Sequence, residues 1–166
     1  MKKFNDLCIA YTKAKSEFDE YLITCEIVAH EIWNAIINYN EIPPTQIALY
    51  MVDEMGNCYK SAETLSKTMV LREDGFFEFG IGITFYASPS TYPHETVVVS
   101  VNVAKDIENI YKAKLGADGK IFEINLSNIK DIERFTDSIM DSIEGQYQTG
   151  LTNMVSKNTF RRIGFK

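Results

Sequence analysis

The chain has 166 residues, of which 45% are hydrophobic and 12% aromatic, and its net charge is −6. This composition supplies enough apolar surface for a buried core, so it excludes intrinsic disorder and predicts one domain with extensions. No stretch approaches the roughly 18 apolar residues of a membrane span, and no signal-peptide apolar run follows the charged opening. We therefore expect a cytoplasmic protein that does not contact membranes.

The first quarter of the chain predicts one long amphipathic helix, residues 1–40, because its apolar residues recur in alternating steps of three and four. The residues of this seam are Phe4, Leu7, Tyr11, Ala14, Phe18, Tyr21, Cys25, Val28, Ile32, Ala35 and Tyr39. The seam is narrow as far as Tyr21 and then widens, so we expect the second half to be docked and the first half to be freer. An unbroken helix of this length, about 50 Å, predicts that part of it serves a partner protein or a second copy.

The prolines at 43 and 44 end this helix, and an α+β body, residues 45–150, is expected after them. Alternating apolar residues predict strands over residues 46–52, 68–72, 76–86 and 96–103, with Asp74-Gly75 forming a hairpin turn. In the strand from Phe76 to Tyr86 the odd-numbered side chains are apolar, while Gly80 and Gly82 lie on the other face. That second face is either exposed or closely approached by another part of the chain.

Two segments near the end of the body have apolar residues at helical spacing, and both are predicted to be helices. Residues 106–115 are interpreted as a short helix, although pairing with residues 121–126 across Asp118-Gly119 remains the alternative. Asn128 predicts the start of a C-terminal helix that ends at Gly145 or Gly150. Its inward residues are expected to be Ile129, Ile132, Phe135, Ile139 and Ile143.

Together these elements predict an α+β fold. It consists of the long N-terminal helix, an antiparallel sheet of four to five strands, and a C-terminal helix packed with the first helix on one sheet face.

The last helix carries an acidic stripe, formed by Glu133, Asp137, Asp141 and Glu144 at spacings of four, four and three. Like charges at this spacing are either a solvated helix face or a docking surface for a basic partner, including one that normally binds a nucleic-acid backbone.

Residues 151–166 form a basic tail. The tail contains Lys157, Arg161, Arg162 and Lys166 and no acid, which leaves the rest of the chain at −10. Basic residues interleaved with aromatic ones are typical of single-stranded nucleic-acid binders, so the tail either contacts nucleic acid or docks on the acidic body.

The segment His94-Glu95-Thr96 precedes a valine-rich strand and resembles one half of the His-x-Thr-hydrophobic motif of the two-histidine phosphoesterases. That chemistry needs a second histidine as the partner acid or base. The other histidine, His30, has no hydroxyl residue two positions later. His94 and Thr96 are therefore weak catalytic candidates, and a loop histidine beside a strand is the alternative.

Other motifs point to no cofactor or metal. The three cysteines, Cys8, Cys25 and Cys58, have neither Cys-x-x-Cys spacing nor a nearby histidine, so we expect reduced thiols and no zinc site. The helical motif that begins at His30 lacks its second zinc ligand, and the heptad register predicts an exposed ion pair between His30 and Glu26.

From these features we expect a non-enzymatic interaction protein that binds another protein through the acidic stripe, the long helix, or both. The seam residues Phe4, Leu7, Tyr11 and Phe18 are the candidates on the long helix, which also offers a route to homo-oligomers. By analogy of type alone, small acidic proteins of this kind are often phage or mobile-element modulators and inhibitors. A small phosphodiesterase-like enzyme or ligand-binding domain using His94 is the alternative, and nucleic-acid binding through the tail is the third interpretation.

Overall fold

The structure, a computed structural model, describes residues 1–92 and 94–157, with side chains as far as residue 148. The elements in chain order are α1 (Phe4–Asn38), a 3-10 turn (Pro44–Gln46), β1 (Ile47–Val52), β2 (Cys58–Lys60), α2 (Leu65–Thr68), β3 (Val70–Leu71), β4 (Phe77–Phe85), β5 (Glu95–Ile107), β6 (Ile110–Leu115), β7 (Phe122–Asn125) and α3 (Ile129–Lys157). Within these residues no helix is both long enough and apolar enough to cross a bilayer.

The described strands form one antiparallel sheet, so the predicted α+β fold is confirmed. The strand order is β2-β1-β4-β5-β6-β7, and β3 pairs with the first residues of β4. The predicted hairpin is present, with Gly75 at a φ of 84° in its turn. The prediction of four to five strands was too low, since the sheet has seven. β2 has only three residues, which is too few for a recognisable alternation, and β6 lies in the segment that was predicted as a helix.

The short helix predicted over residues 106–115 is wrong, and the alternative strand pairing is correct. β5 continues to Ile107, Asn109 turns the chain at a φ of 55°, and β6 then pairs with both β5 and β7. Asparagine tolerates this left-handed backbone better than most residues. Ile107 and Ile110 lie on either side of a tight turn between two strands. Together with Tyr111 they therefore have the three- and four-residue spacing of a helix without forming one.

The predicted end of the last helix is also wrong, because α3 continues through Gly145 and Gly150 to Lys157. A glycine inside a helix costs only about 1 kcal/mol relative to alanine, so a glycine by itself does not end a helix. Four of the five predicted inward residues are buried, namely Ile132, Phe135, Ile139 and Ile143, whereas Ile129 at the start of the helix is exposed.

The main core lies between one face of the sheet and the helices α1 and α3. Its sheet residues are the predicted odd-numbered positions of β4, of which Phe77, Phe79, Ile81 and Ile83 are buried. Each pairs with a valine of β5, so this face presents a continuous apolar surface. The second half of α1 covers it with Cys25, Val28, Ala29, Ile32 and Ile36.

The sequence predicted that the other face of β4 is either exposed or closely approached. In the structure the neighbouring strand β1 approaches it closely. The ring of Tyr50 in β1 lies over Gly82, where an added Cβ would come within 2.2 Å of the ring carbon Cε2. At Gly80 an added Cβ would come within 2.8 Å of Tyr50 Cβ and 3.1 Å of its carbonyl oxygen. The two glycines are therefore the recess that the Tyr50 side chain fills.

We predict that Gly82→Ala and Gly80→Ala both destabilise the protein by about 1 to 3 kcal/mol through overpacking. Because Gly82 faces the ring, Tyr50→Ala should relieve most of the cost of Gly82→Ala. It should not relieve Gly80→Ala, which meets a Cβ and a carbonyl that alanine keeps. Urea unfolding of the single and double variants measures both couplings. Equal relief at the two glycines would contradict this packing.

Candidate functional site

The first four turns of α1, residues 4–17, form an N-terminal arm that is almost wholly exposed. The exposed fractions are 81% for Phe4, 57% for Leu7 and 67% for Tyr11, and Cys8 is the one half-buried residue of the arm. The hydrogen bonds and ion pairs described for the arm run within α1, such as Lys13 to Glu17 and Lys15 to Asp19. The arm is thus an exposed helix with large apolar side chains.

The arm is continuous with the part of α1 that is buried. In the heptad defined by the seam, Phe4, Tyr11, Phe18, Cys25 and Ile32 occupy equivalent positions one after another. Those from Cys25 onward are buried in the core, whereas the first two are exposed. The predicted contrast between a docked second half and a freer first half is therefore present in the structure.

An aromatic cluster at the start of β4 forms the root of the arm. The rings of Phe18 and Tyr21 lie 5.8 and 5.5 Å from the ring of Phe77 at the start of β4. The Tyr21 hydroxyl donates to the carbonyl oxygen of Gly75 at 2.9 Å. Burial, with a smaller contribution from Cys25, raises the pKa of Tyr21 to about 12. This cluster fixes the direction in which the arm leaves the body.

The acidic stripe on α3 is only partly free. Asp137 accepts hydrogen bonds from the Tyr39 hydroxyl at 3.0 Å and from the Asn40 amide at 3.2 Å, so it ties α3 to the end of α1. The hydrogen bond to Asp137 raises the pKa of Tyr39. Glu133 is half-buried, while Asp141 and Glu144 are exposed.

A shallow groove of about 470 Å³ runs along the same side of α3. Three carboxylates of α3 line it together with three cations, namely Glu133, Asp137, Asp141, Lys120, Lys130 and Arg134. Because the numbers of positive and negative side chains are equal, this groove is not a uniformly acidic surface.

The residues of the catalytic alternative make different contacts in the structure. The His94 ring stacks on Tyr92 at 4.4 Å between centroids and lies 5.4 Å from the ring of Tyr86. The Thr96 hydroxyl is 2.9 Å from the hydroxyl of Thr84 on the neighbouring strand. His30 lies on α1, 3.3 Å from Glu26, which is the ion pair that its spacing predicted.

The Nε2 atom of His94 is buried without a hydrogen-bond partner, a feature that the sequence could not reveal. Acid-base catalysis at a phosphate needs an accessible nitrogen and a second acid or base. Elsewhere in the described residues, no group of three or more potential metal ligands is present. The surroundings of His94 are those of a packed aromatic loop.

A chain of polar contacts crosses the face of the sheet that the helices leave open, and it was missed by sequence reasoning. Arg72 bonds to Glu78, and Glu78 accepts from the Ser100 hydroxyl at 2.6 Å. Nearby, Lys114 lies 2.8 Å from Asp74 and 4.3 Å from the centre of the Phe76 ring. These contacts pair the charges with one another, so the network holds this face together.

Comparisons of the chain with models of protein families, with curated proteins and with solved structures found no match. The predicted nucleic-acid-binding side chains of Lys157, Arg161, Arg162 and Lys166 lie outside the described residues.

We predict that Asp137→Ala lowers the melting temperature more than Asp141→Ala does. Asp137 accepts two hydrogen bonds from the end of α1, whereas Asp141 is an exposed carboxylate on the same helix. Both variants remove one negative charge, so the difference between them reports the contacts and not the charge. Equal melting temperatures by calorimetry would show that Asp137 does not tie the helices together.

We also predict that Asp74→Asn destabilises the protein by about 1 kcal/mol at neutral pH, a small value because the carboxylate is 42% exposed. Lys114 holds the pKa of Asp74 below its usual value of 3.8. The stabilisation is therefore present above that value and disappears as the pH falls through the lowered pKa. Urea unfolding at several pH values should show the two proteins converging in acid, and a constant difference would contradict the ion pair.

Proposed function

We propose that this protein is a non-enzymatic interaction protein and that the arm is the element that binds its partner. The observation that carries the proposal is the unbroken apolar seam of α1, which is buried from Cys25 to Ile32 and exposed from Phe4 to Tyr11. Binding of this kind requires no cofactor.

Helix physics supports this proposal. A helix of 14 residues is marginal in water by itself, and most helices gain their stability by packing an apolar face. The arm contains Phe, Tyr, Thr, Asn and Cys, which are weaker helix formers than Ala or Leu. Covering the seam would stabilise the arm, and a partner helix with apolar residues at matching spacing is the simplest cover.

The other candidate surfaces receive less support. The acidic stripe shares its side of α3 with three cations, and one of its carboxylates is engaged with α1. The His94 ring packs against Tyr86 and Tyr92, and its Nε2 is buried, so it is poorly placed to exchange a proton with a substrate. A modulator or inhibitor that acts by docking remains our proposal for its biological role. We place its action in the cytoplasm, because an odd number of cysteines without Cys-x-x-Cys spacing predicts reduced thiols.

The test compares two double variants with the same change in charge. Leu7→Glu/Tyr11→Glu places two carboxylates in the seam, while Thr12→Glu/Ser16→Glu places two outside it in the same turns. We expect tagged wild-type protein and the second variant to recover the same partner from nuclease-treated lysate of the native host, identified by mass spectrometry. The seam variant should lose that partner, since burying a carboxylate among apolar side chains is costly.

The substituted seam residues are exposed, so the body should fold in both variants, and equal melting temperatures would verify this. An identical set of captured proteins for all three chains would contradict the proposed role of the arm.

A further inference from the structure

We propose that residues 158–166 dock on the body of the same chain, with the ring of Phe165 in an apolar pocket at the end of β4. This contact is independent of the arm, since it involves a different surface and a partner segment within the chain. Three observations carry it: the apolar lining of the pocket, the course of α3 beside it, and two carboxylates at its rim.

The pocket has a volume of about 170 Å³ and lies between the end of β4 and the turn that precedes β1. Its polar lining groups are already engaged, because the Gln46 amide donates to the Thr84 carbonyl oxygen at 2.9 Å and the Thr84 hydroxyl lies 2.9 Å from that of Thr96. A cavity of about 150 Å³ accepts a benzene molecule, so the pocket has room for one phenyl ring. The described lining residues carry no charge and are Ile42, Pro43, Gln46, Ile83, Thr84, Phe85 and Tyr86.

The helix α3 brings the chain to this pocket. The ring of Tyr147 packs edge-on against the ring of Phe85, which lines the pocket, with 5.8 Å between the centroids. From Tyr147 the helix continues to Lys157, a distance of about 15 Å at the usual rise per residue. The residues after Lys157 must therefore come back by about 15 Å to reach the pocket.

The reach of an extended chain selects the residue that fills the pocket. An extended chain spans at most about 3.3 to 3.6 Å per residue, so Phe160 reaches only about 10 Å from Lys157, whereas Phe165 reaches about 27 Å. Ile163 also has the reach, but its smaller side chain would leave more of the pocket empty. The large apolar side chains of residues 158–166 are Phe160, Ile163 and Phe165.

Two carboxylates at the rim complement the charge of this segment. Glu41 is exposed and precedes the lining residue Ile42, and Glu95 is the cross-strand partner of Phe85. Burial, followed by the charge of Glu95, raises the pKa of Tyr147, so Glu95 also lies near α3. Neither carboxylate forms an ion pair with a described residue. Residues 158–166 contain no acid and three cations, namely Arg161, Arg162 and Lys166.

The docked state also limits what these cations can bind. A nucleic acid would have to displace the rim carboxylates before its phosphates could pair with Arg161 and Arg162. Docking therefore suppresses weak, non-specific binding to phosphate backbones, which depends on such pairs.

Trypsin cleavage after Arg161 and Arg162 in the native full-length chain tests the docking, because a docked segment cannot enter the protease. We expect cleavage about tenfold slower than in a synthetic peptide of residues 155–166, as for a contact that buries one ring and orders a short segment. Phe165→Ser should raise the rate to that of the peptide, whereas Phe160→Ser should keep the protection. Mass spectrometry measures each rate, and a peptide with the same substitution corrects for intrinsic cleavage.

A wild-type chain that is cleaved as fast as its peptide would overturn the inference, and so would equal effects of the two phenylalanine substitutions. The protection should persist over about a hundredfold dilution, since docking within one chain does not depend on concentration. Protection that is lost on dilution would place the segment on a second copy and overturn docking within the chain. The arm variant Leu7→Glu/Tyr11→Glu should leave the protection unchanged, so this proposal and the proposed function are tested separately.

Charge reversal tests the role of the rim. Glu41→Lys/Glu95→Lys should remove most of the protection of Arg161 and Arg162. The matched control is Glu54→Lys/Glu73→Lys, which makes the same change at exposed positions beyond the other ends of β1 and β4 and should keep the protection. Glu41→Lys alone, at an exposed loop position, gives the same comparison if Glu95→Lys impairs folding. Equal protection in the rim variant and the control would overturn the proposed contact.

Discussion

The packing of the second half of α1 on β4 and β5 is the contact on which the rest of the molecule depends. Cys25, Val28, Ala29, Ile32 and Ile36 are buried against the sheet, and this contact supplies one wall of the core. Without it most of the apolar face of β4 would be open to water. The same contact fixes the axis of α1 and thereby decides where the arm leaves the body. The fold and the exposed arm are thus consequences of one helix that is longer than its docking site on the sheet.

The two faces of the sheet are stabilised by different means. The helix face is apolar and gains its stability from burial, at roughly 25 cal/mol per Å² of apolar surface removed from water. The other face is covered by its own side chains, with Tyr50 in the recess above Gly82 and the ion pairs Arg72–Glu78 and Lys114–Asp74 beside it. Pairing these charges avoids the cost of leaving them half-buried and alone. This face therefore needs no second layer of helices.

The sequence predicted those parts of the fold that repeat along one element. The seam of α1, the alternation of β4 and β5, and the hairpin at Gly75 are local patterns, and each is present in the structure. The segment around Asn109 was misread because a two-residue turn between strands can reproduce helical spacing. The contact between Tyr39 and Asp137 joins residues 98 positions apart, and no local pattern signals such a pair. Nor could the sequence decide which carboxylate of the acidic stripe would be engaged and which would stay exposed.

The continuity of α1 also links the arm to the body energetically. Starting a helix is the costly step, and adding residues to an existing helix is close to neutral. The docked half supplies the helical start, so the arm needs only to continue it from Phe18 toward Phe4. If the arm were an isolated peptide, binding would have to offset the whole entropy cost of ordering it as a helix. Here the packing of the docked half of α1 already offsets part of that cost. An exposed helix that is preformed in this way binds with less loss of entropy, which is the physical advantage of building an interaction surface as the extension of a core helix.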